Sequence, residues 1–414
     1  MTTSQLTPDL PVILSEYDSA FVRLSTEQAL ELRRLAHGAV TVQPDEVPGS
    51  WRVTSSHYVG TIATSGVRIL ITPKLDTGSL FYLLEASGQP VGTGPADFRY
   101  GASPDLVPSF ATFYARHLER ALACGVPRAY QDLQERLPGI RGRVDIPAQL
   151  RLAGLPLPAE CRFDEYTADT RLVRVLRGAA LRLLRLPGVT LPTRQVLQHL
   201  AAVLGEAGPC TPQDMRIPTL FTRLDEHCRP AEHLARMVLG NQTLRCTVGA
   251  ASAAVFLIDM NTAFESFVAA RLARYLAGRL IVRPQQTRLL GHGGTARIRP
   301  DLTFERPTGN AVYVADTKYK ITADGYGRDT DYYQILAYTR ALDVPAGMLI
   351  YCQRDGDAPP RAITVGTHQT RLDTSALTLN GTPADIEHRL KGLADQTVER
   401  AGIQRQAMAP RTPL

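Results

Sequence analysis

The sequence predicts a mixed α/β protein: a β-rich N-terminal domain over residues 1–155, a helical middle over 156–250, a C-terminal mixed sheet flanked by helices over 251–394, and a flexible tail from 395 to 414. Three observations carry this. Short β-branched runs broken by turn residues crowd the region from 50 to 75. Amphipathic stretches between 170 and 240 are separated by Pro187-Gly188 and Gly208-Pro209. After residue 262 the pattern reads helix, three strands, helix, strand, which is the signature of a mixed layer architecture.

Taken in order, residues 26–37 form the first helix, because Ser25-Thr26-Glu27-Gln28 gives a capping-box pattern and Ala29, Leu32, Leu35 and Ala36 an apolar stripe. Strands follow at 51–53, 57–62 and 67–72, with a turn at Ser65-Gly66 and a stop at Pro73. The Gly/Pro/Ser-rich stretch 88–108 is a long loop or linker, and 110–124 is a helix with Phe110, Phe113, Tyr114, Leu118 and Leu122 on one side. The middle holds helices at 170–186, 193–206 and 231–240. On the first of these, Arg171, Arg174, Arg182 and Arg185 share a face, either a solvated surface or a ridge that contacts phosphate. The last region has a helix at 262–278 and strands at 280–283 and 295–304, with a turn at Gly291-His292-Gly293-Gly294 between them. A strand at 311–318, a polar loop at 322–330, a helix at 331–342 and strands at 347–352 and 362–366 complete it.

The 414 residues suffice for two or three domains, and the formal net charge of +6, rich in arginine, suits a polyanionic partner. Six scattered cysteines form no CxxC pair, so neither a disulfide framework nor a zinc knuckle is expected. His227, Cys228 and His233 are close in sequence but fit no standard zinc spacing. With no secretory leader pattern and no apolar run long enough to span a bilayer, the expected compartment is the cytoplasm, with no membrane partner. No GxxxxGK[ST] motif is present, so any nucleotide-driven motor must be another polypeptide.

The chemistry concentrates in Arg299-Pro300-Asp301 and Asp316-Thr317-Lys318. In a strand, residues two apart share a face, so Val312, Val314, Asp316 and Lys318 line one side, apolar first and charged at the tip. Asp301 on a neighbouring strand adds a second carboxylate. Two carboxylates suit Mg2+, with Mn2+ able to substitute, and the backbone carbonyl of Thr317 is a further ligand candidate. Lys318 can orient the attacking water or offset charge on the pentavalent phosphate. Glu265 has two readings: the end of a Thr262-Ala263-Phe264-Glu265 capping box, or a ligand to metal-bound water. Gln334 and Tyr338 lie four apart on one helical face, either a polar patch over the sheet edge or a pair that positions water or phosphate. Tyr326, Tyr332 and Tyr333, beside Arg328, suit nucleic-acid contact or packing. Tyr338, Arg328 and Lys320 are the candidate DNA contacts.

These residues resemble the PD-(D/E)xK nucleases. More narrowly, Asp259-Met260-Asn261-x-x-Phe264-Glu265, Arg299-Pro300-Asp301 and Asp316-Thr317-Lys318-Tyr319-Lys320 resemble the McrC subunit of McrBC-type, 5-methylcytosine-specific restriction systems. Val59-Gly60 with residues 69–75, and Arg141-Gly142-Arg143-Val144-Asp145, resemble that family's N-terminal β segment and central stretch, so the likeness spans about residues 50–355. The resemblance implies a Mg2+-dependent endonuclease acting on double-stranded DNA, with Asp301, Asp316 and Lys318 cutting and Glu265 and Gln334 in support. It further implies an N-terminal region that docks on and stimulates a hexameric, McrB-like AAA+ GTPase, which uses the GTP and senses the modified base. Arg141 and Arg143 are candidate docking residues, or two solvated arginines in a turn. The 88–108 loop and the residues after 365 depart from the family pattern. Two other functions fit the chain: a non-catalytic adaptor that activates an AAA+ ring, and a stand-alone structure-specific nuclease.

Overall fold

The computed structural model describes residues 11–36, 38–64, 66–88, 105–151, 157–240, 254–290, 296–319, 329–353, 361–367 and 369–402. Contacts divide the chain into two compact units, Met1–Leu106 with Cys246–Leu414, and Val107–Arg245. Division at 155 and 250, expected from composition, is replaced by division after Leu106 and after Arg245. The reason is pairing: residue 155 falls between two strands of one sheet, and the N-terminal strands pair with chain beyond 250.

The first unit opens with β1 (Val12–Ser15), β2 (Ser19–Arg23), α1 (Thr26–Ala36), β3 (Val40–Pro44), β4 (Ser50–Ser55), β5 (Tyr58–Thr64), β6 (Val67–Thr72) and α2 (Thr77–Gly88). The second unit holds α3 (Leu106–Leu122), β7 (Ala129–Leu137), β8 (Arg143–Val144), α4 (Ile146–Leu150), β9 (Ala159–Thr167), α5 (Arg171–Leu184), α6 (Leu191–Val203), α7 (Pro212–Arg216) and α8 (Arg229–Gly240). The chain then returns to the first unit with β10 (Ala254–Asp259), α9 (Met260–Tyr275), β11 (Ile281–Pro284), β12 (Arg288–Leu290), β13 (Ala296–Ile298), β14 (Leu302–Glu305), β15 (Ala311–Lys318), α10 (Asp329–Leu342), β16 (Ala346–Gln353), β17 (Arg361–Val365), β18 (Thr370–Thr378) and α11 (Pro383–Arg400).

In the first unit, a four-stranded sheet runs β1-β6-β5-β10 and a six-stranded mixed sheet runs β11-β14-β15-β16-β18-β17. Smaller sheets are β2-β4-β3 and the ribbon β12-β13. β5 and β10 pair antiparallel with Gly60 opposite Leu257. Gly60 has φ +137°, and a Cβ there would meet Phe256 O at 2.1 Å, so only glycine lets the two backbones approach this closely. This ties the N-terminal strands to the segment that leads straight into α9. In the large sheet, β15 is antiparallel to β14 and parallel to β16, with α10 as the crossover. α10 covers one face of the sheet through a core that includes Val314, Ile335, Tyr338 and Leu349.

In the second unit, β7, β9 and β8 form one antiparallel sheet around Ala159, Cys161 and Phe163. α5 carries the helical core with Leu172, Val175, Leu176 and Leu183 buried. The arginine face of α5 is neither a free ridge nor fully solvated. Arg174 is held 2.8 Å from Asp169 and 3.6 Å from Asp214.

Several expectations are corrected. The strand expected at 295–304 is broken at Arg299-Pro300-Asp301 into β13 and β14, because Pro300 lacks the N–H that a ladder needs. The helix expected from 262 begins at Met260. The tail expected to fray from 395 is helical to Arg400, with Thr382 and Asp385 forming a capping box and Leu393, Ala394, Thr397 and Val398 buried. β18, absent from the expected elements, lies between β16 and β17. Most of the 88–108 loop, the Gly291–Gly294 turn, most of the 322–330 loop with Tyr326, and the chain end fall outside the described residues. Among the described residues no helix is long and apolar enough to cross a membrane.

Candidate active site

The site forms where β15 outruns β14. The last partner of β15 on that side is Leu302, opposite Ala315, so Asp316, Thr317 and Lys318 have ladder neighbours only in β16. Asp301, one step before β14, occupies the edge left open. Thr317 donates to Asp301 Oδ2 from its backbone N at 2.7 Å and its Oγ1 at 2.8 Å. The N–H and C=O of a strand residue leave the same edge, so the carbonyl of Thr317 lies on the Asp301 side. The break at Pro300 has a use: it frees Asp301 from the pleat and lets its carboxylate reach Thr317.

Asp316 is 1 % exposed. Its Oδ2 forms an ion pair with Lys318 Nζ at 2.5 Å. Lys318 Nζ donates to Gln334 Oε1 at 2.9 Å, and Gln334 Nε2 donates to the Tyr338 hydroxyl at 2.7 Å. That hydroxyl donates to the Arg299 carbonyl at 3.4 Å, which returns the chain of contacts to the turn before Asp301. α10 therefore fixes the lysine by a relay built on the four-residue spacing of Gln334 and Tyr338.

The electrostatics show acids held together against their preference. Burial raises the Asp316 carboxyl, the charge of Asp301 raises it further, and Lys318 partly offsets both. Burial alone would lower Lys318, but Asp316, Asp301 and Asp331 outweigh it and leave the ammonium raised. Glu265 is pushed up to about 7, first by burial and then by Asp301, with Gln285 and Arg299 pulling the other way. The capping-box reading of Glu265 is overturned. Asp259 is the N-cap of α9, with its side chain accepting from Thr262 N at 3.1 Å, so Glu265 lies inside the helix.

Two residues that sequence reasoning passed over belong here. Asp331, in the first turn of α10, is buried and accepts from the Tyr351 hydroxyl at 2.8 Å. Its position three before Gln334 was the available signal. Gln285, with φ +50°, donates its backbone N to Asp301 O at 2.9 Å, and its side chain bonds both Glu265 and Arg299. No sequence pattern marks it.

The donor set fits a hard divalent ion. Among the described residues no three His, Cys, Asp or Glu side chains form a ready cage. Mg2+ needs none, since it takes one or two carboxylates and keeps much of its water. The buried Asp316 carboxyl, beside a second acid and balanced by one lysine, is a crowding of negative charge that such an ion would relieve.

Other candidates fall elsewhere. Tyr338, expected at DNA, is 8 % exposed and serves Gln334 instead. Lys320 and Arg328 lie outside the described residues. Arg141 is not a bare solvated arginine: its guanidinium sits 4.1 Å from the centre of the Phe163 ring and 3.3 Å from Glu165. Arg143 starts β8 opposite Arg162. Gly142 between them, at φ +69°, packs against Arg162 O. His227 and Cys228 both contact the Ala121 carbonyl and form no metal group with His233. Tyr333 is exposed, whereas Tyr332 bonds Thr374.

A family model described as McrBC 5-methylcytosine restriction system component matches residues 53–352. No curated protein matches. A chain of the refined half-complex from a tetradecameric assembly of Thermococcus gammatolerans McrB AAA+ hexamers with bound McrC superposes with a TM-score of 0.53 at 17 % identity, covering 94 % of this chain and 100 % of that one. A chain of the Thermococcus gammatolerans McrBC complex, solved by cryo-EM, aligns with a TM-score of 0.39 at 22 % identity over 66 % of this chain and 90 % of that one. At such identities the first is a likeness of fold, and the second adds nothing to it.

Proposed function

The chain belongs to the McrBC 5-methylcytosine restriction system component family, and from that premise we propose that it is the DNA-cutting subunit of a modification-dependent restriction system. It has the PD-(D/E)xK arrangement, hydrolyses phosphodiesters with Mg2+, and docks on a McrB-like AAA+ GTPase that senses and delivers the DNA. One observation carries the chemistry: Asp301, Thr317, Asp316, Lys318 and Gln334 touch in sequence at a strand end, with acid, acid and lysine in one cluster. The partner is supported by the similar assembly, in which McrB AAA+ hexamers have McrC bound.

Asp301, Asp316 and the Thr317 carbonyl would hold Mg2+, which when bound would polarise a phosphoryl oxygen and make its water more acidic. The protein does the rest. Thr317 locks one oxygen of Asp301 through two hydrogen bonds, so that carboxylate needs little reorganisation on binding. Lys318, aimed by Gln334 and Tyr338, exchanges its pairing with Asp316 for the negative charge that grows on phosphate. Glu265, near neutral pH in its proton affinity, can take a proton from the attacking water.

The test is to reconstitute the chain with its AAA+ partner and follow GTP turnover and cutting of modified duplex DNA separately, with and without Mg2+. Cutting that requires both the partner and Mg2+ is expected. Stimulated turnover with no cutting identifies an adaptor, and cutting without partner or nucleotide identifies a stand-alone nuclease.

A further inference from the structure

The proposed cutting site has a charge problem. Asp301, Asp316 and Glu265 would repel the phosphates of an incoming strand, so DNA needs compensating cations close by. The β12–β13 ribbon, which runs directly into Asp301, supplies them on one face only. Arg288 pairs with Ile298 across the ribbon, and Leu289 with Arg297, and opposed residues share a face. Ile298 is buried in the core beneath α10, which makes its face the inner one. The outer face then carries Leu289, 54 % exposed, and Arg297, also exposed. Arg299, exposed two residues further on, lies close enough to Glu265 to lower its proton affinity.

The ion pairs divide the arginines in the same way. Arg283 and Arg288 are exposed too, but each lies 3.1 Å from Glu305, a single carboxylate that the two share. Among the described residues no acid forms a salt bridge with Arg297 or Arg299. Arg299 donates to the neutral side chain of Gln285, which aims it without neutralising it. Pro300, buried and with fixed φ, is the single residue between that guanidinium and Asp301. Residues two apart in extended chain are about 6.6 Å apart, on the scale of the spacing between neighbouring phosphates along a strand.

We propose that the outer face of this ribbon is a clamp for the sugar–phosphate backbone of the strand to be cut, with Arg297 and Arg299 on phosphates beside the scissile one and Leu289 against sugar. This rests on the nuclease reading. It makes the ribbon a positioning element that binds any sequence, leaving base discrimination to other parts of the assembly.

The test is fluorescence anisotropy of a labelled DNA duplex against the full chain and against the reconstituted assembly, over a NaCl series, with Ca2+ replacing Mg2+. Arg297→Gln and Arg299→Gln are each expected to reduce the slope of log K against log salt by about 0.9, and the double variant by about twice that. The loss should be uniform across sequences, and Arg297→Lys should restore the slope. Arg283→Gln, whose guanidinium is held on Glu305, should lower it by less than either Arg297→Gln or Arg299→Gln. An unaltered slope in the double variant, an equal loss in Arg283→Gln, or no duplex binding by the wild type each overturns the clamp. Asp316→Asn separates the two readings: it should abolish cutting while the arginine-dependent slope persists. If the wild type never cuts but the arginine slopes behave as stated, the clamp stands and the nuclease reading fails.

Discussion

Glu16 follows β1 and is 1 % exposed, a carboxyl placed where a charge is costly. It accepts from the Tyr319 hydroxyl at 3.2 Å, and its other oxygen has no hydrogen-bond partner among the described residues. Burial pushes it from 4.5 up to about 7, against the smaller pull of Tyr319 and Lys74. Because the folded value is the raised one, the folded state holds its proton longer than the unfolded chain does. The stability this gives is complete below about pH 4.5 and is lost as pH rises through 7. A shift of about 2.5 units amounts to roughly 3 kcal/mol once pH exceeds the folded value. Glu16→Gln keeps an acceptor for Tyr319 and removes the titration. Urea melts of both proteins at several values between about pH 5 and pH 8 isolate this group, because Glu265 and Asp316 contribute equally to both. The variant's advantage should grow by roughly 2–3 kcal/mol between about pH 5 and about pH 8, reaching a total of roughly 3 kcal/mol. A difference that stays flat across this range would refute the burial account of Glu16.

Lys318→Met should cost about 3 kcal/mol in urea melts near neutral pH, because it strands the Asp316 carboxylate; an unchanged midpoint contradicts the pairing. Asp316→Asn should raise the stability of the metal-free protein by ~0.5–2 kcal/mol, since it relieves a crowded acid at a functional site; a lower melting midpoint would show that the acid is structural. Mg2+ should raise the melting temperature of the wild type and not that of Asp316→Asn, whereas equal shifts would place the ion elsewhere. Gly60→Ala should cost about 3 kcal/mol or more, because its Cβ meets Phe256 O and its φ is positive; a near-normal melt would mean that β5 and β10 can part at no cost.

The chemistry was legible where it is local. Asp316 and Lys318 are two apart on one strand, and Gln334 and Tyr338 four apart on the helix that crosses over that strand, so period and order alone bring lysine to glutamine. Contacts between distant stretches were not legible. Nothing in residues 58–64 announces pairing with 254–259, and Glu16 looks like an ordinary surface acid until Tyr319 covers it. The start of α9 was misplaced because Thr262 and Asp259 are both good caps, and the choice fell to the residue with the better-placed acceptor. β18 escaped notice because its polar residues are balanced within the sheet. Asp373 is buried yet bonded by Tyr313 at 3.0 Å and paired with Arg371 at 2.9 Å. Composition reads that segment as surface; pairing makes it interior.

The most direct test of the cutting site is gel analysis of modified duplex DNA incubated with Mg2+, GTP, the AAA+ partner and either the wild-type chain or Asp301→Ala, Asp316→Ala or Lys318→Ala, with GTP turnover read in the same tubes. The expected result is cut DNA from the wild type alone, with turnover stimulated by all four proteins. Cut DNA from each of the three variants at the wild-type rate would contradict the assignment of cleavage to this strand end.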